Sequence, residues 1–142
     1  MTDPDVYQGA LLDLARQATG AGRLEAPDGS ATLDNPLCGD RATFEVRVRA
    51  GRIEALAHRV RGCVLCQATA SLLGREALGA GAAEVSGSRR AAAELLGEGR
   101  PPGPDAFPGL SSFAPVQAVP SRHRCVLLPF DALSAALAAA GK

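Results

Sequence analysis

The chain has 142 residues, 46% hydrophobic and 21% charged, with 15 Lys+Arg against 15 Asp+Glu. That length suits a single domain, 1–142, with a core that needs no disulfide staples, and the composition excludes wholesale disorder. Zero formal net charge argues against a dedicated nucleic-acid binder. No apolar run approaches the ~18 residues that cross a bilayer, and Met1-Thr2-Asp3-Pro4-Asp5 lacks the basic start of a signal peptide. The expected location is therefore the cytoplasm, where thiols are mostly kept reduced.

In chain order, residues 4–18 read as a helix with Val6, Ala10, Leu11, Leu14 and Ala18 near one face. Gly20 and Gly22 stop it, and residues 23–37 read as loop, with Pro27, Asp28-Gly29 and Asn35-Pro36 as turn signals. Thr43 to Arg49 alternates cleanly: Phe44, Val46 and Val48 share one face, and Glu45, Arg47 and Arg49 the other. Ala50-Gly51 is a hairpin turn, and a second strand covers 52–60, with Leu56, His58 and Val60 on one face. Gly62 breaks that strand. Cys63 opens a helix to about Leu78, with Val64, Ala68, Leu72 and Leu73 as its apolar stripe. A further helix is expected at about 89–97, starting from Ser86 or Ser88. An irregular crossing rich in proline follows over 98–120. The last helix runs from Cys125 or Pro129 to Ala140, with Pro129 best tolerated in the first turn. Helix, antiparallel strands, then helices is a segregated α+β order.

Four cysteines, Cys38, Cys63, Cys66 and Cys125, in a reducing compartment point to metal or sulfur chemistry. Three of them sit at structural junctions: Cys38 in the turn Asn35-Pro36-Leu37-Cys38-Gly39-Asp40, Cys63 at a strand-to-helix break, and Cys125 at a helix start. A helix N-terminus favours thiolate, the form that binds metal or attacks sulfur. Asp40 adds a hard oxygen, so Cys38, Asp40, Cys63 and Cys125 make a four-ligand set for Zn²⁺ or iron. The plain alternative is that each cysteine packs as a small hydrophobe, which suits Cys66 best. Cys63-x-x-Cys66 is also a metal-capable spacing, which makes Cys66 a spare ligand. His58 reads as a packed histidine. His123, flanked by Arg122 and Arg124, reads either as an exchangeable ligand and proton carrier or as a solvated loop residue. The two arginines lower nearby thiol pKa values if they point inward, and otherwise form a solvated basic patch.

Asn35-Pro36-Leu37-Cys38-Gly39-Asp40, Gly62-Cys63 and Arg122-x-Arg124-Cys125 before an apolar helix resemble the three cysteine motifs of the U-type iron–sulfur cluster assembly scaffold family (IscU, SufU and N-terminal NifU). Tyr7, Leu11, Leu12 and Asp13 fit that family's first helix, the two strands fit its sheet, and Ala68, Ala70 and Ser71 fit the helix after the second cysteine. The resemblance implies a three-stranded antiparallel sheet with helices over it and a site built from Cys38, Asp40, Cys63 and Cys125. It also implies a role in accepting sulfur from a cysteine desulfurase, or in holding a nascent [2Fe–2S] cluster for downstream acceptor or carrier proteins. The Cys63-to-Cys125 separation is closer to SufU, whose members resemble zinc-bound sulfur acceptors, than to IscU. The chain departs from the family pattern at Leu14, at Ala18-Thr19-Gly20 and at Val64-Leu65-Cys66. It also lacks Leu-Pro-Pro-Val-Lys.

The expected function is thus a scaffold or zinc-dependent sulfur acceptor rather than a conventional enzyme, with Cys38 and Cys125 as candidate nucleophiles. A structural zinc module used only for partner binding is the alternative. Asp40 weighs against it, because a closed structural site gains little from a carboxylate. A thiol enzyme using Cys63-x-x-Cys66 lacks the βαβ setting.

Overall fold

The computed structural model describes residues 9–37 and 39–141. Its elements are α1 (Gly9–Gln17), β1 (Gly29–Asn35), β2 (Asp40–Arg49), β3 (Arg52–Arg61), α2 (Val64–Glu76), α3 (Ala82–Glu98), 3-10 segments at Pro108–Ala118 and Pro120–Arg122, and α4 (His123–Ala139). The strands form one antiparallel sheet in the order β1-β2-β3, the α+β architecture expected.

The alternation in β2 sets the layers. Ala42, Phe44 and Val46 are buried on the inner face. Opposite them on β3, His58 pairs with Phe44 and Leu56 with Val46, and the Phe44 and His58 rings lie 5.3 Å apart. At the hairpin Ala50 and Gly51 have φ of 53° and 75°, the left-handed pair that matches the twist of the flanking strands. α4 lies across β1 and β2, α2 packs on β3 and α4, α1 on α2, and α3 on α4 and the 3-10 crossing. Leu65, Leu72, Leu73, Phe113, Phe130 and Leu133 fill the space between these layers.

The first helix is described from Gly9, and residues 4–8 of its expected span lie outside the described residues. Three features differ from the sequence expectation. Residues 23–37, read as loop, contain β1, which runs from Gly29 opposite Val46 to Asn35 opposite Asp40. Its apolar content is slight, with only Ala31 and Leu33 against the core, so pairing with β2 and not hydrophobicity makes it a strand. α3 begins at Ala82, because the Glu84 carboxylate accepts the Gly81 N–H at 3.0 Å. Ser88 is buried instead of capping, and its hydroxyl accepts the Phe107 N–H at 3.1 Å. α4 begins at His123, so Pro129 lies in its interior and not in its first turn. Interior proline costs a helix roughly 3 kcal/mol. Burial of Val126, Phe130 and Leu133 around it offsets this.

The linking segments are tied down. Residues 20–28 follow the free edge of β3, where the Gly22 N–H donates to the His58 carbonyl at 2.9 Å and the His58 N–H to that of Gly20 at 3.0 Å. They then cross the outer face, with the Leu24 N–H on the Glu45 carboxylate at 2.9 Å, and enter β1. The proline-rich crossing is held by Phe107, Leu110 and Phe113, all buried, and by the Gly109 N–H on the Glu76 carboxylate at 3.0 Å. These three side chains anchor the crossing to the core. None of the described helices is long and apolar enough to cross a membrane.

Candidate metal centre

Three elements deliver three donors to one point. Asp40 is the first residue of β2, and a tight turn sets its position. Buried Asn35 accepts the Leu37 N–H through its side chain at 3.1 Å and the Gly39 N–H through its carbonyl at 2.8 Å. Gly39 has φ of 77°, a conformation that glycine adopts without steric cost. Cys63 precedes the first residue of α2 in extended conformation. Cys125 lies in the first turn of α4 and is fully buried. One donor atom from each, the Asp40 carboxylate oxygen and the two sulfurs, lies within 4.8 Å of the others.

The junction between β3 and α2 is packed against the carboxylate. The Cys63 N–H donates to Asp40 Oδ1 at 3.1 Å. A Cβ at Gly62 would collide with that same carboxylate, so residue 62 must lack a side chain for Asp40 to sit where it does. Sequence reading took Gly62 as a strand breaker and as part of the second cysteine motif, with no role toward Asp40. Its proximity to Asp40, 22 positions away in the chain, is a tertiary fact that no local pattern encodes.

The Cys63 thiol is lowered from its ordinary value to about 6. Its strongest cause is a hydrogen bond from the Cys125 thiol. Burial opposes ionisation, the N–H of Cys66 favours it, the Asp40 charge opposes it, and the N–H of Leu65 favours it. The backbone amides of the first helical turn thus support the thiolate, as expected for a cysteine at a helix N-terminus. Among the described residues, the groups that favour the Cys63 thiolate do not include Arg122 or Arg124.

The other candidates fall as follows. Cys38 lies outside the described residues. Cys66 is fully buried in the hydrophobic core, and the donor group does not contain it. His58 is buried, with Nε2 at 2.8 Å from the Thr19 carbonyl oxygen. Burial lowers its pKa and that hydrogen bond partly opposes the shift, which fits the packed histidine expected. His123 is half-buried and engages the Val116 carbonyl oxygen at 3.0 Å through Nε2, so it ties the crossing to α4. The donor group contains no histidine. Two sulfurs and one carboxylate oxygen suit Zn²⁺ or iron bound through sulfur, and not a hard cation that prefers an all-oxygen shell.

Residues 6–110 match the sequence profile of the NifU-like N terminal domain. The curated iron–sulfur cluster assembly scaffold proteins IscU 1 and IscU 2 of Archaeoglobus fulgidus are each 33% identical over 93 residues, 65% of this chain and 61% of theirs. The match thus spans less than two thirds of those relatives' length. The scaffold protein IscU of Thermotoga maritima is 26% identical over 132 residues, 93% of this chain and 92% of its own. In three dimensions, the chain resembles an N-terminal NifU-like protein from Brucella abortus. The TM-score is 0.89 at 33% identity, over 96% of this chain and 95% of that one. An iron–sulfur cluster assembly scaffold protein for the SUF system from Fervidobacterium islandicum shares the fold at 21% identity, with a TM-score of 0.86 over 96% and 99%.

Proposed function

Given that this chain belongs to the NifU-like N-terminal domain family, we propose that residues 1–142 form one domain that works in iron–sulfur cluster assembly in the cytoplasm. It takes sulfur from a cysteine desulfurase or holds a nascent [2Fe–2S] cluster, and passes its cargo to downstream acceptor or carrier proteins. The observation that carries this reading is the convergence of Asp40, Cys63 and Cys125 within 4.8 Å. Cys38, three residues from Asn35 in the same motif, is the fourth ligand in this proposal. Zn²⁺ bound there supplies charge that holds thiols deprotonated. Asp40 is the one hard donor of the set, and its oxygen is the ligand that leaves most readily from a soft centre.

Sulfur acceptance follows from thiol exchange. The thiolate of Cys38 or Cys125 attacks the terminal sulfur of a desulfurase persulfide. A sulfur–sulfur bond forms on this chain, the donor's sulfur–sulfur bond breaks, and the donor cysteine leaves as thiolate. The terminal sulfur keeps its proton and its oxidation level, so no external oxidant is needed. The reading is supported by the lowered pKa of Cys63, whose thiolate is favoured by the Cys125 thiol and the N–H groups of Cys66 and Leu65.

The test is anaerobic purification followed by metal analysis and a visible spectrum, and then desulfurase turnover with labelled sulfur. Zinc or a cluster that is lost on replacing Cys63 or Cys125 by Ser, together with label on a cysteine of this chain, is the expected result. Bound zinc with no label and no stimulation of the desulfurase would favour the structural zinc module instead.

A further inference from the structure

The outer face of the sheet carries a charge arrangement that folding alone does not favour. At the end of the sheet that bears Asp40, the register sets Asp34, Arg41 and Arg61 in one row across β1, β2 and β3. In the next row Thr43 faces Arg59. Arg41 and Arg61 are therefore directly opposed like charges, an arrangement that destabilises an antiparallel pair. Arg23, from the segment that crosses this face, joins them around a depression of about 360 Å³ lined also by Thr43 and Val60.

The neutralising groups are outnumbered. Asp34 holds Arg41 at 2.7 Å. Glu45, its side chain 13% exposed, lies 3.5 Å from Arg59. Arg23 and Arg61 are exposed and have no acidic partner among the described residues. In a chain of zero formal net charge, this corner of the sheet holds a local surplus of positive charge. It lies at the end of the sheet that bears the donors but on the opposite face: Arg41 follows Asp40, which is buried on the side covered by α4, and Arg61 leads through Gly62 to Cys63. On the adjoining turn Leu37 is 82% exposed.

We infer that this face is a docking surface for an acidic segment of the sulfur-donating desulfurase, which it meets as the donor's persulfide approaches the thiols. The inference rests on the function proposed above. Complementary charge at the rim of a contact accelerates encounter more than it tightens the final complex. Two unpaired arginines are too few for nucleic acid, where an extended run of phosphate contacts is usual.

The experiment uses the full chain and the purified cysteine desulfurase encoded in the same genome, with association rates followed by stopped flow from 20 mM to 1 M salt. The variant is Arg23→Glu with Arg61→Glu. The control, Arg49→Glu with Arg90→Glu, makes the same change in net charge at the far end of the hairpin and on α3. The patch variant should associate on the order of tenfold more slowly at low salt and converge on the wild type near 1 M, where the screening length is about 3 Å. The control should stay within about twofold of the wild type, and metal content should be unchanged in both. Equal rates for the patch variant and the wild type, with normal sulfur labelling, would overturn the docking surface and leave the proposed function standing. A wild type that neither binds the desulfurase nor takes label would overturn both. Binding of a 20-nucleotide duplex that the patch variant loses would assign the surface to nucleic acid and overturn the inference.

Discussion

Substituting Gly62 by Ala tests how the carboxylate of the donor group is positioned. The backbone at Gly62 is not in the left-handed region, so conformation alone does not demand glycine there. What demands it is space, since the new Cβ would fall on the Asp40 carboxylate. Either the β3–α2 junction shifts or the carboxylate swings away and loses the Cys63 N–H. Forcing one methyl group into a packed site costs about 1–3 kcal/mol. At 142 residues each kcal/mol moves Tm by roughly 3 °C, so metal-free Gly62→Ala should melt ~3–10 °C below the wild type. The assay is a double-mutant cycle with Asp40→Ala, measured by urea unfolding under reducing conditions. Removing the carboxylate leaves a contact of 3.1 Å to the Asp40 Cβ, which a small shift relieves. The Gly62 cost should then fall by at least about 1 kcal/mol in the Asp40→Ala background. If the full cost of Gly62→Ala survives there, the strain lies in the backbone and the positioning argument is wrong.

Three further outcomes are expected. His58 has a pKa lowered by burial, so the unfolded chain takes up the proton first; its contribution to stability is complete above its unfolded pKa of about 6.5 and is lost as pH falls below it. Urea unfolding at pH 7.5 and 5.5 should show up to about 1.4 kcal/mol less dependence on pH in His58→Gln than in the wild type. Ala50 has φ of 53° beside Gly51, so Ala50→Asn should stabilise the hairpin by ~0.5–1 kcal/mol in the same assay; no gain would mean that the turn bears no strain. Cys66→Ala should cost about 1 kcal/mol from the vacated core volume and leave zinc content unchanged, whereas Cys125→Ala should lower it; zinc loss in Cys66→Ala would make Cys66 a ligand.

The parts of the fold legible in the sequence are those whose cause is local. Phe44, Val46 and Val48 set β2 by alternation, Ala50-Gly51 set the hairpin, and Gly62-Cys63 marked the change from strand to helix. β1 escaped because Gly-Ser-Ala-Thr-Leu-Asp-Asn becomes a strand only through its partner, and the start of α3 because Glu84 caps Gly81 where Ser86 and Ser88 looked the better caps. Proline chemistry misplaced the beginning of α4, since the burial that holds Pro129 inside a helix is tertiary. For the site, chain position and motif brought Asp40, Cys63 and Cys125 into one set, and their donor atoms lie within 4.8 Å. Cys38 belongs to the set by sequence and lies outside the described residues. What no linear reading supplied was the packing around them: Gly62 against Asp40, and the Cys125 thiol directed at Cys63.

The segment 20–28, tied along the free edge of β3, has a consequence for recognition. Its bonds to Gly20 and Gly22 occupy the N–H and carbonyl of His58, so at that point of the edge a partner's strand finds no backbone to pair with. A partner that docks there is read through side chains. Backbone pairing accepts almost any sequence, whereas side chains can be exchanged one at a time. At that point of the edge, single substitutions therefore change what docks and leave the architecture beneath untouched.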